Sequence, residues 1–235
     1  MNQERFEDAV RDYWRIRTAQ QQKQVDAGKV DAGTRGAVTG GAHMDSMAKL
    51  MEDIFLDAGF PKRSISRSSA VELPGYFRPE KKWDLVVVHE GSLAAAIEFK
   101  SQVGSFGNNY NNRVEEGIGN AVDVWTAYRE GLFGDTRPWL GYLMLLEEAP
   151  KSTAPVRNRE PFFKVDPELK NASYKKRYEI FCRRLVRERL YDAACFLTAS
   201  ADATTRIHEP AVDLSFATFM AAVRARAAGL LLTDQ

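Results

Sequence analysis

Two carboxylates and an ammonium stand at the ends of an otherwise apolar stretch, "WDLVVVHEGSLAAAIEFKSQ", which runs from residue 83 to 102. They are Asp84, Glu98 and Lys100. The runs "WDLVVVH" and "LAAAIEFK" read as antiparallel strands across a three-residue loop, Glu90-Gly91-Ser92, a common hairpin connection when it contains glycine. His89 then faces Leu93, and Asp84 faces Glu98. Facing side chains in such a pair have Cβ atoms roughly 4.5–5.5 Å apart. Lys100 lies two residues past Glu98 and shares its face, whereas Ile97 and Phe99 point to the other. Like charges held opposite one another destabilise a sheet. A hard divalent cation relieves that repulsion and prefers oxygen ligands, with magnesium the natural candidate. A lysine beside such an ion can orient or help deprotonate an attacking water and stabilise developing negative charge. Metal-assisted hydrolysis of a phosphodiester needs these groups. A charged Glu-x-Lys triplet on an exposed strand is the competing reading, and a one-residue slip in register would separate the carboxylates.

The elements that must position these groups can be read along the chain. Residues 3–18 carry a helical stripe of Phe6, Ala9, Val10 and Tyr13, and a Gly-rich segment follows. That segment lacks the Gly-Lys-Ser/Thr ending of a phosphate-binding loop. "HMDSMAKLMEDIFLDAGF" has Met44, Met47, Met51, Ile54, Phe55 and Ala58 in helical phase and Gly59 at its end. Residues 61–82 read as irregular and basic. After the hairpin, "SQVGSFGNNYNNR" reads as a polar loop. "VEEGIGNAVDVWTAYREG" reads as a helix with Val114, Ile118, Val122 and Trp125 in phase. A buried strand, "PWLGYLMLLEE", precedes a proline-rich loop over 149–172. Loops this long are usually functional or disordered. A basic helix, a strand, "YDAACFLTAS", and a closing helix complete the chain. Helices that alternate with strands in this way predict an α/β (α+β) fold, a mixed β-sheet flanked by helices. We expect a single domain over 1–235. It divides into an N-terminal helix and Gly-rich loop (1–40), a catalytic core (41–150), the long loop (151–172) and a C-terminal helix-strand-helix (173–235).

The chain has 235 residues, 44% of them hydrophobic and 28% charged, which suits a solvated domain with a substantial core. No secretory signal and no membrane-spanning stretch is expected. Cys182 and Cys195 form no disulfide framework or metal spacing and read as reduced thiols of a cytoplasmic protein. His43, His89 and His208 are scattered, so no zinc site is expected, and no serine-hydrolase arrangement stands out. The net charge of +1 hides a local excess. Lys170, Lys175, Lys176, Arg177, Arg183, Arg184, Arg187 and Arg189 face only Glu179 and Glu188 within 170–189. That helix could track phosphates, with strong salt dependence, or be an ordinary solvated face.

Asp84 followed by Glu98-Phe99-Lys100 resembles the Asp…Glu-x-Lys signature of the PD-(D/E)xK nuclease superfamily. "KKWDLVVV" and "AIEFKSQVGSFGNNYNNRVEEGIGNAVDVWTAYREG" are similar more specifically to the XhoI-type restriction endonucleases, over roughly residues 40–150. Trp83 departs from the proline that often precedes the first aspartate. The resemblance implies a restriction-endonuclease-like core and a type II enzyme that cuts double-stranded DNA at the palindrome CTCGAG with Mg2+, leaving a 5′-phosphate and a 3′-hydroxyl. Asp84, Glu98 and the carbonyl of Phe99 would hold the metal, and Lys100 would orient or activate the water. An acidic residue from the preceding helix often joins such sites. Glu52 is the candidate, then Asp45, with a solvated helix residue as the alternative. A cognate DNA methyltransferase is implied as a partner in the same system.

A palindrome read by identical chains implies a homodimer on the DNA two-fold axis. Asn pairs with adenine and Arg with guanine through bidentate contacts. Asn108, Asn109, Asn111, Asn112 and Arg113 offer such groups just past the catalytic strand, although Asn and Gly also favour plain turns. Arg157, Asn158 and Arg159 in the long loop form a second candidate set, with a surface loop as the alternative. Gln102 is a candidate contact to the DNA backbone. Two rivals stay open: a structure-specific repair or recombination nuclease on the same core, and a DNA-binding module without catalysis.

Overall fold

The computed structural model describes residues 3–26, 44–67, 69–200 and 205–232. The Gly-rich segment over 28–41 lies outside the described residues.

A six-stranded mixed sheet organises the chain. Its strands are β1 (Ile65–Arg67), β4 (Leu85–His89), β5 (Ser92–Gln102), β6 (Trp139–Glu147), β7 (Ala193–Ala199) and β8 (Ile207–His208), in that spatial order. A separate two-stranded ribbon pairs β2 (Glu72–Pro74) with β3 (Glu80–Lys82). The three short strands occupy the stretch read as irregular in the sequence. β5, β6 and β7 run parallel, while β1, β4 and β8 are antiparallel to their neighbours. This is the expected mixed sheet with helices on both faces. β6 and β7 are buried almost throughout because both of their faces are covered.

One face carries α1 (Gln3–Asp26), α2 (Asp45–Asp57) and α6 (Phe216–Leu232). The stripes read from the sequence, Phe6–Ala9–Val10–Tyr13 and Met47–Met51–Ile54–Phe55, are buried there against Leu85, Val87, Ile97 and Phe99. α1 continues well past residue 18. The other face carries α3 (Phe106–Arg129) and α5 (Tyr174–Arg187), packed on Val86, Ala96, Tyr142, Met144 and Phe196. The long loop contains one helical turn, α4 (Pro150–Thr153), and otherwise no regular element up to residue 173.

Two expectations about α3 are corrected. The Asn-rich segment is not a loop: residues 106–113 form the first turns of the helix. Asn is a poor helix former, but Phe106 stacks on Tyr174, and Tyr110, one turn on, packs on Tyr174 and edge-on against Tyr178, and this packing overrides propensity. The buried face is also different. Ile118 and Val122 are exposed, whereas Gly117, Asn120, Ala121, Asp123, Val124 and Ala127 face inward. Hydrophobic periodicity pointed to the wrong side because this helix turns small and polar residues toward the sheet.

The hairpin itself is instructive. Leu85, Val86 and Val87 pair with Ile97, Ala96 and Ala95 in the expected register. At the tip, however, His89 pairs with Ser92 across a two-residue turn, Glu90-Gly91, whose φ angles are 47° and 76°. Both central residues in the left-handed region make the turn of a tight hairpin. A bulge between Val87 and Val88 absorbs the one-residue difference. The tip was misjudged by one position, and the bulge restores the alignment that the site requires.

Candidate active site

β5 delivers Glu98 and Lys100 to the α3 side of the sheet, as strand alternation requires. β4 proper begins at Leu85. Just before it the backbone leaves toward the ribbon, where Trp83 N–H donates to Val71 O at 2.9 Å. The Asp84 carboxylate takes up the hydrogen-bonding position thus vacated: Phe99 N–H donates to its Oδ2 at 2.7 Å. Asp84 is therefore pinned against the backbone that separates Glu98 from Lys100.

Glu98 is only 1% exposed and is gripped from several sides. Lys100 ion-pairs with Oε1 and Lys81, from β3, with Oε2. Asn120 Nδ2 donates to Oε1 at 3.4 Å. Lys100 also lies 3.6 Å from Glu116, which holds Arg113 at 2.6 Å. Burial pushes the Glu98 carboxyl up, but the ammoniums of Lys100 and Lys81 outweigh it and hold the group below its ordinary range. Asp84 goes the other way. Burial and the Glu98 charge push it up to about 6, against the Phe99 N–H and the two lysines. Lys81 is lowered by burial despite Glu98, and in Lys100 the Glu98 charge overcomes burial and raises it.

This donor set suits a hard divalent cation. Two carboxylates and the Phe99 carbonyl would provide oxygen ligands, and the upward push of burial and Glu98 on Asp84 outweighs the two lysines. Asp84 Oδ1 has no hydrogen bond or ion pair among the described residues.

The remaining expected residues fall in different places. Glu52 is fully buried, so the solvated-helix alternative does not hold. It sits on α2, on the sheet face opposite α3, and accepts from Arg67 Nε at 2.8 Å while pairing with Lys49 and Lys62. Asp45 takes the other end of Arg67 at 2.6 Å. None of these contacts reaches Asp84 or Glu98. Gln102 is buried. Its amide donates to Gly104 O and accepts from Tyr178 at 3.4 Å, which fixes the turn into α3. Asn108, Asn111 and Asn112 are exposed, and Asn109 is half-buried. Arg157 and Arg159 are exposed, while Asn158 Oδ1 accepts Asn171 N–H at 2.6 Å. A cleft of about 560 Å³ is lined by Gly104 to Asn108, Lys151, Ala154 to Val156 and Tyr174, so of the two sets only Asn108 lines it.

Sequence reading missed Lys81, Glu116, Asn120, Asp123 and Arg78. A signal existed for some of them. Arg113, Glu116, Asn120 and Asp123 recur at helical spacing, and Lys81 alternates with Trp83, over whose ring its Nζ lies at 4.2 Å. Of the two readings of the basic helix α5, the ion pairs favour the ordinary solvated face. Its cations are paired with acids from elsewhere in the chain: Lys175 with Glu148 at 3.1 Å, Arg183 with Asp213 at 2.6 Å, and Arg184 with Asp166 and Glu168, both at 2.9 Å.

A mixed sheet whose antiparallel hairpin presents Asp84, Glu98 and Lys100 to one buried pocket defines a restriction-endonuclease-like protein. The family model described as restriction endonuclease XhoI matches residues 23–208, so the chain belongs to the XhoI restriction endonuclease family. It is 50% identical over 199 residues to the type II restriction enzyme BstVI of Geobacillus stearothermophilus, covering 81% of this chain and 89% of that enzyme. It is 45% identical over 165 residues to the type II restriction enzyme XhoI of Xanthomonas vasicola, covering 68% of this chain and 66% of that enzyme. Against the type II restriction enzyme AbrI of Azospirillum brasilense it is 48% identical over 160 residues, covering 67% and 72%. No solved structure gives a significant match. The protein is thus a restriction endonuclease, a DNA-binding hydrolase of a class that acts on double-stranded DNA and generally uses divalent metal ions. No described helix is long and apolar enough to cross a membrane.

Proposed function

We propose that the protein is a magnesium-dependent type II endonuclease that cuts both strands of the palindrome CTCGAG as a homodimer and leaves 5′-phosphate and 3′-hydroxyl ends. The observation that carries this reading is the convergence of Asp84, Glu98 and Lys100 in one pocket. Asp84, Glu98 and the Phe99 carbonyl would hold the ion, with Glu98 sharing its carboxylate between the ion and the lysines that now pair with it. When bound, magnesium supplies charge to the phosphoryl oxygens and favours deprotonation of water. Lys100 orients the attacking water and stabilises the growing negative charge in a pocket that burial makes strongly responsive to charge. The water oxygen attacks phosphorus in line, the bond to the 3′-oxygen breaks, and that oxygen takes up a proton to become the 3′-hydroxyl.

The exposed asparagines at the start of α3 sit where a helix can enter a major groove with its first residues, the groove in which Asn distinguishes adenine. Asn108 at the cleft, Asn109, Asn111, Asn112 and Arg113 further along α3, and Arg157, Asn158 and Arg159 just past Val156 form the proposed reading surface. Gln102 serves it from behind, by holding the turn into α3. Glu52, held by Arg67, Lys49 and Lys62 on the opposite face, stays outside the mechanism, and Glu52→Gln should cut like the wild type; a large loss of cleavage would bring it back in.

Incubation of the protein and magnesium with a plasmid that carries a single CTCGAG tests the proposal. One linear product with ends mapping to that site is expected, and EDTA should leave the plasmid intact. Cleavage scattered over many sequences, or nicking confined to branched junctions, would refute it.

A further inference from the structure

The ribbon formed by β2 and β3 is not part of the sheet, yet it reaches the catalytic carboxylate. Its base is anchored by Leu73 and the buried Trp83 in the α3-side core. Its tip, "GYFR", exposes two large rings: Tyr76 is 53% and Phe77 69% accessible, in edge-to-face contact at 4.9 Å. The backbone below these rings is fastened to α3. Asp123 Oδ1 accepts the N–H groups of Tyr76 at 2.8 Å and Phe77 at 2.9 Å, and its Oδ2 accepts Arg78 Nε at 2.6 Å. Arg78 also donates to Asn120 Oδ1 at 2.8 Å, and Asn120 in turn donates to Glu98. Lys81, further along the ribbon, takes the other Glu98 oxygen. Both oxygens of Glu98 are thus held by groups tied to this ribbon.

Resting on the nuclease reading above, we propose that the ribbon is a DNA-responsive arm: Tyr76 and Phe77 pack against the duplex, and Arg78 and Lys81 transmit that contact to Glu98. Lys81 on the ribbon meets Glu98 beside Lys100, so a duplex whose phosphate reaches Asp84 and Lys100 comes close to the ribbon. Lys81 is four positions from Phe77, at most about 13 Å at roughly 3.3 Å per residue, so the tip lies within one duplex width of the site. Exposed apolar rings next to a DNA site are the kind of group that wedges against base steps or sugars. Lys81 and Arg78 are positioning residues: they act through Glu98.

The test combines duplex binding by fluorescence anisotropy in EDTA with single-turnover cleavage in magnesium at saturating enzyme. Tyr76→Ala/Phe77→Ala should keep its melting temperature, since both rings are exposed. It should bind the duplex about tenfold more weakly, the scale of one aromatic contact to nucleic acid, and cut more slowly even when saturated. Added to Lys81→Met, which removes one of the two routes to Glu98, the tip substitutions should slow cleavage by less than they do in the wild type, because coupled positions are not additive. Lys81→Arg should recover most of the rate. A tip variant that binds and cuts like the wild type, or whose effect multiplies independently with that of Lys81→Met, overturns the arm. A wild-type protein that cuts no duplex overturns the nuclease reading and the arm with it.

Discussion

Asp84 and Glu98 share a pocket but not an electrostatic situation. Glu98 has two ammoniums and holds its charge, whereas Asp84 is pushed up to about 6 by burial and by Glu98. The Asp84 value in the fold lies above its ordinary 3.8. Its contribution to stability is therefore present below pH 4 and lost as pH rises through about 6. In EDTA at pH 8, Asp84→Asn should melt a few degrees above the wild type, and the gap should close as pH falls below 6. Added divalent ion should narrow the gap by binding the native wild type. A lower melting temperature for the variant at pH 8 would contradict this account of the pocket. Asp84→Ala and Lys100→Ala should bind duplex normally and lose roughly 10²–10³-fold or more in cleavage, the scale of removing one electrostatic group from a reaction centre. Undiminished cutting by either would remove that residue from the mechanism. These residues were legible in the sequence because strand alternation and facing positions are local. Lys81 was not, because the ribbon folds it back onto Glu98 from outside the hairpin.

At the scale of elements, strands and apolar helices were readable wherever burial follows hydrophobicity. α3 escaped because its inward face carries Asn120 and Asp123, both holding the site. For α5 the sequence left phosphate tracking and a solvated face both open, because besides Glu179 its ion-pair partners are Glu148, the 166–168 segment and Asp213. Charge counted along one helix cannot register acids that arrive through the fold. The consequence can be measured: Arg183→Gln/Arg184→Gln should leave the slope of log affinity against log salt unchanged within about one unit, since these cations meet carboxylates rather than phosphates. A slope two units shallower would place them on DNA. Packing between elements makes a separate claim at Gly141 of β6. A Cβ there would lie 2.7 Å from the Trp139 ring and 2.9 Å from that of Phe219 on α6. Gly141→Ala should destabilise the protein by roughly 1–3 kcal/mol through overpacking, read as a lower thermal midpoint. An unchanged midpoint would show that the two rings give way freely.

For the whole molecule, the pocket stands at the junction of three pieces: the hairpin supplies Asp84, Glu98 and Lys100, α3 supplies Asn120 and Glu116, and the ribbon supplies Lys81. The fold class and the register of Leu85–Val87 against Ala95–Ile97 followed from sequence pattern. The convergence of α3 and the ribbon did not, since it depends on which face each element presents once the sheet is assembled. Anomalous diffraction from crystals soaked in Mn2+ with bound duplex measures the shared ion directly. The account predicts a peak within coordination distance of Asp84, Glu98 and the Phe99 carbonyl, with the scissile phosphate beside it. A strong peak elsewhere, with that position empty, would contradict it.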